Sequence, residues 1–299
     1  MKNRSQQLDW PLINFFLLAY GLAWGVLGLF ALIAPANGAE SGLALLQAGE
    51  QYQFAGLTLT MAPFLLYLLT RLADFAFSIA GVVMIGWTTD RSGLRDLWRR
   101  LTLWRLSPWW YLAALLPLAL YGVALLLAAP GAPATLDGAR LTRLLFSLEA
   151  GFLVSLFLRG AMGEELGLRG FALPRLQARY GPVRASLILG VLWGFWHLPV
   201  LLGREPVTIV AFLLLNIGLS FVFTWLYNGS GGSLIPGLLF HATQNWEEGF
   251  ETLFPALTGT DWELPSTLLL LLLGLVAIYL VRRQARRETP APVTVAQTS

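Results

Sequence analysis

The chain has 299 residues, of which 56% are hydrophobic and 12% charged, against roughly 25% charged in an average soluble domain. Its mean hydropathy is +0.64 and its formal net charge only +3. That balance argues against a soluble enzyme, a disordered chain or a secreted disulfide scaffold, and leaves a polytopic all-α membrane protein.

There is no cysteine, so disulfides, thiolate metal sites and a cysteine nucleophile are excluded. There are two histidines, His197 and His241. The positive charge is too small and too scattered to suggest a nucleic-acid partner; the expected partner is the lipid bilayer. Richness in Arg, Ala, Leu, Gly and Pro is associated with GC-rich bacterial genomes, so the expected location is a bacterial cell membrane.

Apolar runs long enough for the hydrocarbon core fall at 10–34, 55–88, 108–129, 144–166, 184–202, 206–228, 232–252 and 264–281. The first is followed by APANGA but is too long for the apolar region of a signal peptide, and is read as an anchor. The loops between the runs alternate in charge. Lys2 and Arg4 precede the first; the 35–54 loop holds Glu40 and Glu50 and no base. Residues 89–107 carry Arg91, Arg95, Arg99, Arg100 and Arg105, and the segment after the fourth run carries Arg169, Arg175, Arg179 and Arg184. Asp261 and Glu263 follow the seventh, and the chain leaves the eighth with RRQARR. The positive-inside rule then gives eight transmembrane helices with N- and C-termini cytoplasmic. An acidic loop before 55–88 and a basic one after it require an odd number of crossings, so this run is read as one long helix. There is no internal repeat of the transporter kind. The expected organisation is a single transmembrane domain over 1–283 and a disordered cytoplasmic tail over 284–299.

Ionisable side chains at membrane depth are costly and mark function by default. Arg71 and Asp74 are three apart and can neutralise each other at a kink or interface. Arg159 is expected to snorkel or to pair with a carboxylate on a neighbouring helix, and Glu149 is a further candidate. Glu247, Glu248 and Glu251 are expected to meet water near the outer end of the seventh run. In GEELGLRGF, Glu164 and Glu165 point about 100° apart around a helix. Glu165 lies four residues before Arg169, the favourable order for an ion pair. Glu164 is left without an in-helix cation, beside the small residues Gly160 and Gly163. The segment therefore offers one neutralised carboxylate and one reactive one.

His197 ends VLWGFWH, with Trp193 one turn earlier and Gly190 and Gly194 forming a G-x-x-x-G face. His241 has Gly237 and Asn245 four residues to either side. One carboxylate and two histidines from three helices suffice to activate a water, by general base catalysis or by a divalent metal such as zinc held by Glu164, His197 and His241. Asn245 is a neutral donor for an oxyanion. An H-E-x-x-H pair, a G-x-S-x-G string and an intramembrane aspartate pair are all lacking.

At these residues the sequence resembles the CPBP family, also called ABI, which includes type II CAAX prenyl endopeptidases and bacteriocin-immunity proteins. E-E-x-x-x-R matches Glu164, Glu165 and Arg169; an aromatic residue one turn before a histidine matches Trp193 and His197, with tryptophan where phenylalanine is commoner; H-x-x-x-N matches His241 and Asn245. The flanking RGFALPRL and GSLIPGLLFHA also look like the family, and the resemblance covers 145–250. It implies an intramembrane endopeptidase acting on a membrane-associated protein or peptide. Glu164 would be the base, working with His197, with His241 and Asn245 at the oxyanion and Glu165, Arg169 and Trp193 in support. The site would lie in a cavity open to the cytosol. The competing expectations are a non-catalytic immunity or scaffold protein and a proton-coupled transporter.

Overall fold

The computed structural model describes residues 8–36, 51–54, 57–60, 63–129, 138–246, 254 and 260–288. Helices dominate. α1 spans Trp10–Ala36, α11 Pro206–Gly229 and α13 Glu263–Glu288, close to the apolar runs that announce them. Each exposes large apolar side chains along its length, among them Leu17, Leu32, Leu214, Leu272 and Leu275. In water such faces would be buried or would aggregate; in a bilayer they are the lipid-facing surface. Among the described residues four helices are long and apolar enough to cross a membrane, and six if each bent pair is one span. The chain is a multi-pass membrane protein.

The 55–88 run is not one helix. Residues Gln51–Phe54 (β1) and Leu57–Thr60 (β2) pair as an antiparallel hairpin, Gln51 opposite Thr60. QYQF and LTLT alternate polar and apolar residues with period two, a strand signal that the length of the apolar run conceals. α2 (Pro63–Asp74) and α3 (Ala76–Leu101) then meet at Phe75 with a bend of 66°. Neither Gly nor Pro makes this break. The Asp74 carbonyl lies against Gly163, where an added Cβ would come within 2.3 Å of it, so the bend is shaped by a neighbouring helix.

α4 (Pro108–Ala114) and α5 (Leu116–Ala128) form a second bent pair, at 43°. The next stretch is segmented. α6 (Gly138–Ser147) runs through a wider π-helical turn at Leu148–Leu153 into α7 (Val154–Leu158), and the backbone breaks at Arg159 (φ −140°, ψ −144°). α8 (Gly160–Gly167) follows, then a second π-helical turn over Leu168–Ala172, and α9 (Leu173–Trp196), which kinks at Gly181 (φ 74°) before Pro182. The four-residue α10 (Leu198–Leu201) leads to α11, and α12 spans Ile235–Gln244.

α11 packs on α9 and α13, and α8 on α3. Gly190 and Gly194 face α11: a Cβ on Gly190 would lie 2.7 Å from the Ile217 Cα, and one on Gly194 2.9 Å from Leu213. This G-x-x-x-G face thus serves helix packing and does not clear space beside His197. α13 continues to Glu288, so residues 284–288 are helical where a disordered tail is expected. RRQARRE consists of good helix formers that extend the preceding apolar helix. Residues 289–299, Glu247, Glu248 and Glu251 lie outside the described residues, as does the side chain of Glu149.

Candidate active site

α8 carries both carboxylates. Its first turn, Gly160-Ala161-Met162-Gly163, is nearly free of bulk, which lets it press against α3 and against the Asp74 carbonyl. Glu164 and Glu165 are both buried and project to different sides.

Glu165 faces away from any opening. Its Oε1 accepts from Arg169 Nη1 at 2.8 Å and from His241 Nδ1 at 2.8 Å. Arg169 is 1% exposed and lies between aromatic rings, its guanidinium 3.9 Å from the Phe223 centroid and 4.8 Å from that of Trp193. Electrostatic attraction to two ring faces adds to the ion pair. The Glu165–Arg169 pair read from the spacing is present, and it also grips His241.

Glu164 faces a cavity of about 480 Å³. Its Oε2 accepts a hydrogen bond of 2.5 Å from the Trp193 indole N–H, which leaves Oε1 for other partners. The same indole therefore donates at its edge to Glu164 and offers its face to Arg169.

His197 follows the last residue of α9. Its Nδ1 is 2.9 Å from the Trp193 carbonyl oxygen. A carbonyl only accepts, so Nδ1 carries the hydrogen and Nε2 presents a lone pair. Trp196 and Phe212 pack edge-on against this ring at 4.8 and 5.1 Å. His241 follows the same logic: Nδ1 donates to the Glu165 carboxylate, and Nε2 points toward Gly160. An added Cβ at Gly160 would lie 2.7 Å from His241 Nε2 and 2.6 Å from Asn245 Nδ2, so these two side chains converge on the start of α8. The hydroxyl of Tyr121 donates to the Gln244 carbonyl at 2.6 Å and anchors the end of α12.

Glu164, His197 and Asn245 line the cavity together with Gly160. His241 and Trp193 stand directly behind that wall, in contact with it through Gly160 and Glu164. The lining also includes Thr70, Asp74, Arg159, Trp196 and Trp246, which spacing alone does not assign to the site. Arg71 and Asp74 form their ion pair at 2.7 Å at the α2–α3 break, and Arg71 also donates to the Leu158 carbonyl at 3.2 Å. The pair is self-satisfied, as its spacing suggests. Its place at the cavity follows from the bend at Phe75, which the sequence does not signal.

The metal alternative can be tested against this geometry. A catalytic zinc needs three ligand atoms about 2.0–2.2 Å from one point. Among the described residues no three His, Cys, Asp or Glu side chains gather closely enough to hold an ion. Glu164, His197 and His241 as placed do not fit one.

Comparison with known proteins matches this part of the chain. Residues 146–246 match the family model described as type II CAAX prenyl endopeptidase Rce1-like. The match takes in the motif-bearing third of the chain. A curated relative, CAAX prenyl protease 2 of Methanococcus maripaludis, is 31% identical over 108 residues, covering 32% of this chain and 40% of that relative. The chain thus spans about two fifths of the length of the curated relative it matches. The matched segment contains every residue placed above in the two carboxylate networks, from Glu164 to Asn245.

Proposed function

We propose that the chain is an intramembrane endopeptidase that hydrolyses a peptide bond of a membrane-associated protein or peptide. The observation that carries this reading is the cavity shared by Glu164, His197 and Asn245 within a bundle of membrane helices.

The Glu164 carboxylate accepts a proton from a water that is also held by the His197 Nε2 lone pair. The water oxygen bonds to the peptide carbonyl carbon, and the carbonyl oxygen becomes an oxyanion. Asn245 Nδ2 donates to that oxygen. His241 Nδ1 is committed to Glu165, which fixes the imidazole beside Asn245 at the start of α8. The C–N bond breaks as the proton held by Glu164 passes to the leaving nitrogen, giving an amine and a new carboxylate.

The topology belongs to the same reading: eight spans, both termini in the cytosol, and the cavity open to the cytosolic face of the cell membrane. The alternating loop charges support it. Because the chain has no cysteine, Ser92→Cys and Asp261→Cys each introduce a single label site. A membrane-impermeant maleimide added to intact cells should label the second and not the first, and the reverse pattern would invert the orientation.

The function is tested by cleavage of membrane-associated peptides in proteoliposomes. Glu164→Gln keeps the shape of the side chain and removes the base, so the rate should fall by about 10² to 10⁴, the usual scale of general acid–base catalysis. Full activity in that variant would sink the mechanism. Metal content measured on the same preparation, with chelator treatment, decides the zinc alternative, which requires stoichiometric metal and loss of activity on its removal.

A further inference from the structure

The cavity holds a cation that this mechanism does not use. Arg159 sits at the backbone break between α7 and α8, where its extended conformation interrupts the helical path, and it forms part of the cavity wall. We propose that Arg159 binds a carboxylate of the peptide substrate, and so selects which peptides the cavity accepts. The inference rests on the endopeptidase reading above.

Among the described residues Arg159 forms no ion pair. The acid facing it is Asp74, which is close enough to interact with it electrostatically but is already in contact with Arg71 at 2.7 Å. Glu164, the other acid in the lining, is held by the Trp193 indole and faces Arg169 and His241 from behind. Arg159 is exposed where it lines the cavity, so a ligand entering the cavity meets its guanidinium. A guanidinium fork matches a carboxylate in shape and charge, and binds it through two parallel hydrogen bonds.

The register also fits. Arg159 precedes Glu164 by five residues, about 7.5 Å along a helix. An extended peptide advances about 3.3–3.6 Å per residue, so a carboxylate on Arg159 lies roughly two residues from a bond placed over Glu164. Gly160, next to Arg159, is where His241 and Asn245 converge. The carboxylate site and the oxyanion donors are therefore neighbours on one wall. The carboxylate has two sources, a free C-terminus or an acidic side chain.

The test uses fluorescein-labelled peptides in pairs that differ only in a C-terminal carboxylate against a carboxamide, or an internal Asp against Asn. Binding is read by anisotropy on the Glu164→Gln chain in phosphatidylcholine proteoliposomes, with and without phosphatidylglycerol. The acid member of at least one pair should bind about tenfold tighter, and which pair shows this identifies the source. Adding Arg159→Gln should abolish the preference and Arg159→Lys should keep part of it. On the otherwise unaltered chain, Arg159→Gln should raise KM for the acid peptide more than for its neutral partner. Equal binding within both pairs, or no binding at all, would overturn the assignment. An Arg159 effect that appears only with phosphatidylglycerol and is the same for acid and neutral peptides would assign the residue to lipid phosphate instead, which also overturns it. If acid peptides are preferred but none is cleaved, the endopeptidase reading fails and Arg159 stands; if peptides are cleaved with no acid preference, the reverse holds.

Discussion

The two sides of α8 present adjacent carboxylates to opposite surroundings. On the rear side Glu165 is closed in by Arg169 and His241, and Arg169 by two aromatic rings. On the cavity side Glu164 takes one hydrogen bond from Trp193 and otherwise faces open volume. The residue type is the same and the positions are consecutive, so the difference comes from what neighbouring helices bring. A carboxylate paired with a buried arginine is a fixed charge that orients His241. A carboxylate with one donor and an open edge is free to exchange a proton. The site thus separates the charge that holds the machinery in place from the charge that reacts.

This contrast predicts opposite outcomes for stability and activity. The largest effect is expected on the rear side. Arg169→Met removes the guanidinium and leaves Glu165 buried with only His241 beside it, which should cost about 3–5 kcal/mol, the scale for breaking one member of a buried pair. The thermal unfolding midpoint in detergent should fall sharply, with activity lost as a consequence. Glu164→Gln should show the converse, an unfolding midpoint at or above that of the parent chain together with the loss of catalysis. Gln is easier than Glu to hold at membrane depth. Equal unfolding midpoints for Arg169→Met and the parent would break the distinction between the two sides.

The division of labour between Glu164 and Glu165 is legible in the sequence because it depends on spacing within one helix. An acid four residues before an arginine pairs with it, and its neighbour points elsewhere. α1, α11 and α13 are legible for a similar reason, since uninterrupted apolar length is a local property. What is not legible depends on registry between helices. The bend at Phe75 has no breaker residue and is shaped by the Asp74 carbonyl lying against Gly163. That bend brings Thr70 and Asp74 to the cavity. Gly190 and Gly194 are recognisable as a packing face, but the sequence does not reveal that α11 fills it. Nor does spacing show that His241 and Asn245 meet Gly160, or that Glu165 grips His241 across 76 residues of sequence.

Trp193 touches both sides, and it gives the smallest and sharpest test. Its edge serves Glu164 and its face serves Arg169. Trp193→Phe keeps a smaller aromatic face for the guanidinium and deletes the N–H together with one ring of the buried indole. A hydrogen bond to a charged group contributes about 1.5–3 kcal/mol, and water reaching Glu164 from the cavity replaces part of it. The rate should therefore fall by about tenfold, with a smaller drop in the unfolding midpoint than Trp193→Leu gives. Trp193→Leu removes the edge and the face together, so it should also lower the midpoint, by about 1–2 kcal/mol for the lost cation–π contact. If Trp193→Phe lowers stability as much as Trp193→Leu, the indole N–H is structural and Glu164 is not as independent of the rear network as its open edge implies. If Trp193→Phe leaves the rate untouched, the hydrogen bond has no part in orienting the base, and the two sides of α8 are separate in function as well as in charge.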